Sequence, residues 1–441
     1  RPYTPTQDNV TYYYFDDEVA MLNSFLYHWS KNPPDVITGW NVRLYDIPYL
    51  CGRISRIMGD KKMKLLSPWG LVTHEQVFIS GREFNVYDIA GLTTLDYLEL
   101  YKKFTYVNRS SYRLDYIGQI EVGMGKVEYE GTLDQLLETD IEKFIEYNLV
   151  DVEIVVELDK KLQFIDLCRG ICHAGHVPYE DFVYSSKYLE GALLCYLKRK
   201  GIVAPNKPAD RQERMQALRD NNEEKFIGAY VKAPIVGKYE WIYDLDLTSL
   251  YPSIIMSINI SPETKVGKVE DWSAEDFVKG KRDEWIINGD TITQENLKKF
   301  FDKSKFSVAS NGVLYRTDTV GCIPDILDIW FNQRVEFKNE MKKYGKAGNK
   351  EKYEWYKKRQ LVQKILLNSL YGVLGLPAFR FYDVDNATAV TTTGQTVIKS
   401  TADMANIKYN KELGDNTLDL SLIHISEPTR RRGISYAVFC L

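Results

Sequence analysis

One segment of the sequence combines an acid, a polar turn and an apolar run. Asp246 ends the mostly apolar residues 241–245, and a short polar turn separates it from the apolar run 250–255. An acid at a strand end beside such a turn presents a carboxylate together with backbone N–H groups. A divalent metal and a triphosphate require that combination. The sequence therefore predicts a phosphoryl-transfer site here, with Asp246 as a metal ligand.

The turn that follows this acid supplies further candidate groups. The carbonyl of Leu247 is a second expected metal ligand, and the N–H groups of Ser249 and Leu250 are expected to bind phosphates. The ring of Tyr251 is expected under the sugar, where it would block a 2′-hydroxyl. Asp244 is a competing ligand that does not adjoin the turn. An ordinary structural turn is the alternative interpretation.

Two predicted helices further along the chain carry cations. Arg334 and Lys338 are spaced i, i+4, and Lys364, Asn368 and Tyr371 are spaced i, i+4, i+7, so each set shares a helix face. Arginine grips phosphates bidentately and lysine adds a point charge. Basic helix faces are usually solvated, and for the first pair alone solvation is the favoured interpretation. The string 364–372, which ends at Gly372, favours a triphosphate site.

A second set of candidate residues suits a nuclease. Asp46 follows a predicted strand, and Tyr147 and Asp151 lie four positions apart on a predicted long helix. A nuclease needs carboxylates for two metals and a group that orients the attacking water. Asp46 and Asp151 suit the metals, and Tyr147 suits the water. Taken singly, each motif is also explained by a solvated helix face.

The hydrophobic periodicity predicts the elements that carry these residues. Strands and helices alternate up to about residue 165, which indicates an α/β domain. Residues 166–225 are predicted to be mostly helical, and two helices near the C-terminal half form an antiparallel hairpin. The predicted helices are 16–30, 92–104, 139–168, 324–344 and 350–371, and the predicted strands are 36–40, a hairpin at 75–90, 226–231 and 241–247.

Taken together and in this order, the motifs resemble those of family B replicative DNA polymerases of the kind found in T-even bacteriophages. Residues 246–255 resemble the first polymerase motif and 364–372 the second. The segments around Asp46 and Asp151 resemble the second and third exonuclease motifs. The likeness covers about residues 12–415 and includes further matching stretches at 95–97, 100–104, 111–116, 259–264, 379–383 and 386–389.

The resemblance implies an α/β and α+β multidomain fold. A ribonuclease H-like 3′-5′ exonuclease domain would be followed by a polymerase palm with an inserted helical-hairpin fingers domain, and the thumb would be absent. The expected boundaries are an N-terminally truncated exonuclease domain at 1–165, a helical connecting region at 166–225, palm at 226–320 and 377–418, fingers at 321–376, and a non-native tail at 419–441.

The implied function is DNA-directed DNA synthesis with 3′-5′ proofreading. Nucleotidyl transfer to a primer 3′ end would use two Mg²⁺ ions per active site, with Mn²⁺ as a substitute, during phage replication in the cytoplasm of an infected bacterial host. Primer-template DNA, dNTPs, a sliding clamp and other replisome proteins are the implied partners. Lys364 and Asn368 would bind the nucleotide, and Tyr371 and Gly372 would contact the primer-template.

Two elements of the family pattern do not occur in the sequence at their expected places. These are a strand-borne Asp-x-Glu upstream of residue 1 and an Asp-Thr-Asp after about residue 415. One carboxylate does not hold two metals in the required geometry. The 441-residue chain by itself is therefore expected neither to polymerise nor to proofread efficiently.

Net charge, hydropathy and cysteine positions set further limits on the function. The net charge is −4, which gives no global basic signature, and no apolar run is long enough to span a membrane. The cluster of Cys168, Cys172, His173 and His176 is interpreted as helix packing rather than a zinc site.

A stand-alone 3′-5′ exonuclease and a non-catalytic DNA-binding protein are the alternatives to a polymerase. Nucleotide binding by residues 230–415 would discriminate a polymerase from both.

Overall fold

The computed structural model describes residues 11–79, 81–105, 107–207, 228–230, 247–303 and 305–413. The chain divides into two compact units. The first comprises Arg1–Cys172 with Pro178–Val183, and the second comprises His173–Val177 with Tyr184–Leu441. Each unit contains a hydrophobic core of its own.

The first unit contains both helices and strands, but the predicted alternation holds only in part: among the described residues, three strands follow one another over 72–96 and five helices over 97–175. β1 (Val36–Gly39) pairs with β4 (Thr93–Asp96) in parallel, and β2 (Val72–Ile79) pairs with β3 (Arg82–Ile89) antiparallel. Two short 3₁₀ turns, Lys64–Leu66 and Tyr179–Val183, complete it. The elements up to residue 175 are α1 (Glu18–Lys31), β1 (Val36–Gly39), α2 (Asp46–Met58), α3 (Asp60–Met63), β2 (Val72–Ile79), β3 (Arg82–Ile89), β4 (Thr93–Asp96), α4 (Tyr97–Phe104), α5 (Leu114–Val122), α6 (Leu133–Thr139), α7 (Ile141–Leu162) and α8 (Phe164–Gly175).

The parallel pair β1–β4 places two chain segments at one edge of the first unit. Gly39 is paired with Asp96 at the carboxyl ends of the two strands. The loop after β1 and the helix after β4 therefore start side by side. Helix α2 begins at the end of that loop and buries Ile47, Cys51 and Ile54 in the core, at positions that recur with helical spacing.

Two predicted helices of the first unit were wrong in extent. The predicted helix 92–104 begins with strand β4, and only Tyr97–Phe104 is helical. The predicted helix 139–168 is broken at Gln163, whose φ of 55° lies in the left-handed region. The Asp159 carboxylate accepts a hydrogen bond from the N–H of Ile165 across the break. No glycine or proline marks this position, so the apolar periodicity runs through it unchanged.

The second unit combines helices with small antiparallel sheets. β5 (Lys265–Lys268), β9 (Val313–Arg316) and β8 (Phe306–Val308) form a three-stranded sheet in that order, and β6 (Glu284–Ile287) pairs with β7 (Asp290–Thr293). The elements from residue 185 are α9 (Ser185–Lys200), α10 (Leu250–Ile258), β5 (Lys265–Lys268), α11 (Ala274–Lys279), β6 (Glu284–Ile287), β7 (Asp290–Thr293), α12 (Gln294–Lys303), β8 (Phe306–Val308), β9 (Val313–Arg316), α13 (Cys322–Lys346), α14 (Lys350–Leu374) and α15 (Val384–Leu413).

Helices α13 and α14 form the predicted antiparallel hairpin. The Gln363 side-chain amide donates to the Gln333 amide oxygen at 2.9 Å, and the rings of Tyr344 and Tyr356 stack with centroids 5.5 Å apart. Residue numbers thus rise along one helix as they fall along the other. Both helices are longer than predicted: α13 begins two residues before Pro324, and α14 continues to Leu374.

Several predicted features lie outside the described residues. The predicted strands 226–231 and 241–247 do so except for 228–230 and Leu247, and Asp244, Asp246 and the tail 419–441 do so entirely. No helix in the described part of the chain has both the length and the apolar character needed to cross a membrane.

Candidate active sites

The loop that precedes Asp46 is held by a buried carboxylate. Asp96, 2% exposed, accepts hydrogen bonds from the backbone N–H of Asn41 at 3.0 Å, of Arg43 at 3.1 Å and of Leu98 at 2.9 Å. One residue thereby caps α4 and fixes the loop after β1. Asn41 has a φ of 67°, so the N–H bond also holds a backbone conformation that non-glycine residues seldom adopt.

Asp46 stands at the first position of α2. Its carboxylate reaches solvent, yet the surrounding protein removes enough water to raise its pKa, against the smaller opposing effect of a backbone hydrogen bond. A helix N-terminus favours a carboxylate through the exposed N–H groups and the helix dipole. Asp46 is therefore presented on a fixed element at the edge of the first unit.

Asp151 and Tyr147 lie on one face of α7, as their spacing predicts, and share a lysine. Lys126 Nζ lies 2.7 Å from Asp151 Oδ2 and 2.8 Å from the Tyr147 hydroxyl. Burial alone would lower the pKa of Lys126, but its hydrogen bonds to Asp151 and Tyr147 outweigh burial and the pKa is raised. The other carboxylate oxygen of Asp151, Oδ1, is buried without a hydrogen-bond partner.

The structure unites two of the three predicted nuclease residues. Among the described residues, no hydrogen bond or ion pair joins Asp46 to Asp151 or Tyr147. Within the same part of the chain, no group of three or more His, Cys, Asp or Glu side chains is arranged to hold a metal. The buried thiols of Cys168 and Cys172 instead each contact the Tyr179 carbonyl at 3.8 Å, which supports their interpretation as packing residues.

Sequence reasoning missed Lys126 and Asp96. Lys126 lies 25 positions before Asp151, in an irregular segment with no periodic pattern. Asp96 lies 55 positions after Asn41, and its place at a strand end is a common one for an ordinary helix cap. Asp96 lies in the stretch 95–97, which adds to the family resemblance, but that stretch gave no role for the carboxylate.

In the second unit, Arg334 reaches from α13 to the start of α10. Its Nη1 donates to the Ser249 hydroxyl at 3.3 Å, and Ser249, with φ 51°, is the residue before α10. Arg334 Nε is buried without a partner, and burial lowers the pKa of the guanidinium. A partly buried guanidinium with unused donors is suited to bind an anion.

Lys338 and Lys364 complete a group of cations that no described carboxylate neutralises. The pKa of Lys338 is lowered by the charge of Arg334, then by burial, and then by the charges of Lys342 and Lys364. No described carboxylate contributes to the pKa of either Arg334 or Lys338. We call Arg334, Lys338 and Lys364 the inner cluster. Mutual repulsion within the cluster would be relieved by a bound polyanion.

Tyr251 packs against the second predicted motif. Its ring centroid lies 4.4 Å from that of Tyr371, and both rings are buried. Gly394 of α15 faces the Tyr251 ring, where a Cβ would come within 3.0 Å. On α14, Lys364 is exposed, Asn368 is half-buried and Tyr371 is buried, so this predicted face runs from solvent into the core.

The remaining predicted site residues are exposed, half-buried or outside the described chain. Leu247 is exposed, and Leu250 and Gly372 are half-buried. Asp246, the expected metal ligand, lies outside the described residues together with its competitor Asp244. Five predicted groups therefore gather around α10, α13 and α14: Ser249, Arg334, Lys338, Lys364 and the Tyr251–Tyr371 pair.

Comparison with known families decides the class of protein. The sequence profile of DNA polymerase family B matches residues 183–429, more than half of the chain. The chain belongs to the family B DNA polymerases. The profile of the family B exonuclease domain matches residues 2–117 of the same chain. The resemblance inferred from the motifs is thus confirmed, as are exonuclease and polymerase domains of mixed α/β content.

Two phage enzymes are similar along most of this family B chain. The DNA-directed DNA polymerase of Escherichia phage RB69 is 30% identical over 92% of this chain and 47% of its own length. That of Enterobacteria phage T4 is 31% identical over 93% of this chain and 48% of its own length. DNA polymerase 1 of Pyrococcus abyssi is 28% identical over 86% of this chain. The chain spans about half the length of the curated relatives it matches.

Proposed function

We propose that the chain is part of a DNA-directed DNA polymerase with a 3′-5′ proofreading exonuclease, acting in phage replication in the cytoplasm of an infected bacterium. The inner cluster carries this proposal. It gathers three cations without a described carboxylate beside the start of α10, where a polymerase needs to hold a triphosphate. Family membership gives the cluster its substrate class, the dNTPs, with primer-template DNA as the second substrate.

The proposed nucleotide site divides its work among a few residues. Arg334, Lys338 and Lys364 neutralise the triphosphate, and the N–H groups of Ser249 and Leu250 donate to it. Asn368 lies one turn beyond Lys364 and contributes a polar contact. Tyr251 lies against the sugar, held there by Tyr371, and Tyr371 and Gly372 face the primer-template. The arrangement orients the nucleotide and stabilises charge on the transferring group.

Mg²⁺, two per site, is the proposed cofactor, with Mn²⁺ as a substitute. Asp151 is suited to bind such an ion. Its Oδ1 is a buried carboxylate oxygen without a hydrogen-bond donor, and a cation would satisfy it. Asp46 and Asp151 would hold the ions of the nuclease site, and Asp246 and the Leu247 carbonyl those of the polymerase site. Bound there, the ions would activate the attacking oxygen and neutralise the leaving group.

In the nuclease site, the chain's own groups position the water and the phosphate. The Tyr147 hydroxyl is proposed to orient the water, and Lys126 holds that hydroxyl and Asp151 together. Asp96 keeps the loop that delivers Asp46 in place. The nuclease and polymerase functions thus use different residues, each set on its own elements.

The domain boundaries and the protein partners also follow from the family resemblance. We propose a ribonuclease H-like exonuclease domain at 1–165, a connecting region at 166–225, palm at 226–320 and 377–418 and fingers at 321–376, the last matching the α13–α14 hairpin. A sliding clamp and other replisome proteins are proposed partners of the parent protein. The tail 419–441 is proposed to be a non-native sequence.

Nucleotide binding by the 441-residue chain tests the proposal. Titration with dATP, followed by calorimetry with Mg²⁺ present, should show saturable binding, whereas deoxyadenosine without phosphates should bind far more weakly. A stand-alone exonuclease or a non-catalytic DNA-binding protein would bind DNA and show no preference for the triphosphate over the nucleoside. Equal binding of the two ligands would therefore contradict the polymerase proposal.

Nucleotide binding by the 441-residue chain does not require that the chain catalyse DNA synthesis. We propose that it extends a primer poorly, because the 441 residues contain no Asp-Thr-Asp sequence to supply a second polymerase carboxylate. Primer extension with Mg²⁺ is the measurement. Robust extension would overturn this expectation while leaving the nucleotide-binding proposal intact.

A further inference from the structure

The cations on α13 continue beyond the inner cluster. Arg334, Lys338, Lys342 and Lys346 recur at every fourth position of this helix. Side chains four residues apart share a helix face, and each such step advances about 6 Å along the axis. The cations therefore form a stripe that leads from the inner cluster to the end of α13.

No acid interrupts this stripe around Lys342. The residues three and four positions away on α13 are Lys338, Asn339, Gly345 and Lys346. Lys342 is exposed, and its charge is one of the causes that lower the pKa of Lys338, so the two ammonium groups lie on the same side of the helix. Among the described residues, no salt bridge neutralises Lys342.

The neighbouring residue Lys343 shows what an ordinary surface lysine of this helix does. It lies 3.2 Å from Glu340 in an ion pair and lies over the Tyr344 ring at 5.4 Å. Lys343 is thus paired and satisfied, although it is the same residue type one position away. The difference marks Lys342 as a cation left available to an external anion.

We propose that Lys342 and Lys346 form an outer binding step for the polyphosphate chain of a nucleoside triphosphate, which passes from there to the inner cluster. The inference rests on the proposed function of that cluster. A triphosphate carries several negative charges, so a stripe of uncompensated cations raises its local concentration and speeds its capture. The outer step acts on the rate of association, whereas the inner cluster determines how tightly the nucleotide is held.

A simpler role for these lysines is also testable. Cations near the C-terminus of a helix stabilise it through the helix dipole. Lys343 and Lys346 lie in the last turn of α13 and Lys342 lies just before it. That role predicts similar consequences for replacing Lys342 or Lys343, and it predicts an effect on helix stability without one on nucleotide capture.

Stopped-flow association of a fluorescent dATP with the 441-residue chain tests the outer step. We expect Lys342→Gln to lower the association rate constant about two- to threefold at an ionic strength of about 0.1 M, and the loss to disappear near 1 M salt. The matched control Lys343→Gln should keep the wild-type rate. Lys338→Gln should mainly raise the dissociation rate constant, and thermal unfolding checks that each variant is folded.

These variants distinguish a failure of the outer step from a failure of the proposed nucleotide site. If Lys342→Gln associates at the wild-type rate in low salt while Lys338→Gln weakens binding, the outer step is wrong and the proposed nucleotide site stands. If Lys342→Gln and Lys343→Gln slow association equally, the effect belongs to the helix terminus and the outer step is again wrong. If no variant changes binding, or the wild type does not bind the nucleotide, the proposed function fails together with the inference.

Discussion

Arg334 Nη1 donates a hydrogen bond to the Ser249 hydroxyl at 3.3 Å, across 85 positions of sequence. The contact joins the middle of α13 to the residue that precedes α10, and it fixes the direction of a guanidinium whose Nε has no partner. A residue of the segment that resembles the first family B polymerase motif thereby contacts a predicted nucleotide-binding cation. The contact also makes the orientation of Arg334 testable.

Ser249→Ala should loosen Arg334 without removing any charge. We expect dATP affinity to fall about two- to fivefold. The free energy of unfolding should fall by about 1 kcal/mol, since one hydrogen bond is lost. Calorimetric titration and denaturant unfolding measure the two effects. Ser253→Ala is the control, because Ser253 donates to the Thr248 carbonyl at 3.4 Å rather than to a cation. Equal losses of affinity in both variants would contradict this orientation role.

Asp96→Asn should release the loop that delivers Asp46. An asparagine has one acceptor atom, so it cannot accept all three N–H groups that the carboxylate holds. We expect a loss of about 1 to 3 kcal/mol in the free energy of unfolding and faster amide hydrogen exchange at Asn41 and Arg43.

The N-cap Asp17 supplies the control for this substitution. It accepts one hydrogen bond, from the N–H of Ala20 at 2.8 Å, and asparagine caps a helix as well as aspartate does. Asp17→Asn should therefore leave stability and loop exchange nearly unchanged. Unchanged exchange at Asn41 in Asp96→Asn would show that the carboxylate does not hold the loop.

Lys126→Met should expose Asp151 to a metal. Removal of the ammonium leaves both oxygens of Asp151 without a protein cation, so we expect Mn²⁺ to bind more tightly in the absence of DNA. The free energy of unfolding should fall by about 1 to 2 kcal/mol in metal-free buffer, because the pair is only partly exposed. Titration of Mn²⁺ by electron paramagnetic resonance measures the binding.

Lys160→Met is the matched control for the lysine variant. Lys160 also pairs with an acid of α7, Glu157, but at the surface. It should leave Mn²⁺ affinity unchanged. Weaker Mn²⁺ binding in Lys126→Met than in the wild type would show that the lysine does not compete for Asp151.

The burial of Lys103 should make the free energy of unfolding rise with pH. Burial lowers its pKa to about 8, against the smaller opposing effect of the Cys168 and Cys172 thiols. An unfolded lysine has a pKa of about 10.4, so between these values the unfolded chain binds more protons and stability rises with pH. Relative to Lys103→Met, the wild type should gain about 2 kcal/mol in unfolding free energy between about pH 7.5 and 9.5.

The Lys103 variant also serves as the reference for all other titrating groups. Both proteins contain the same tyrosines and cysteines, so their difference isolates Lys103. Denaturant unfolding at the two pH values gives the measurement. A difference that stays constant with pH would show that the ammonium is not desolvated in the native state.

The sequence predicted features that depend on local periodicity. Arg334 and Lys338, and likewise Tyr147 and Asp151, lie on the faces that their spacing predicts, and the α13–α14 hairpin follows from apolar repeats on either side of a glycine-containing turn. Sequence motifs of this kind were also sufficient to indicate the family, which the family profiles confirm. In each case the relevant partners lie within a few turns of helix.

Contacts between distant segments could not be predicted from the sequence. Lys126 gains its meaning from Asp151, 25 positions away, and Asp96 from Asn41, 55 positions away. The break at Gln163 depends on a left-handed backbone and on a hydrogen bond from Ile165 to Asp159 rather than on glycine or proline. Tertiary contacts of this type override local propensity, so no single-sequence pattern reveals them.

The most direct measurement compares Arg334→Gln with Arg316→Gln in dATP titrations of the 441-residue chain. Arg316 is an arginine of the same unit that is already paired with Asp318 at 2.6 Å, whereas Arg334 is unneutralised among the described residues. We predict that Arg334→Gln weakens dATP binding at least about tenfold, because a charge-assisted phosphate contact is lost, and that Arg316→Gln binds like the wild type. Equal affinities in the two variants would contradict the assignment of the inner cluster as the triphosphate site.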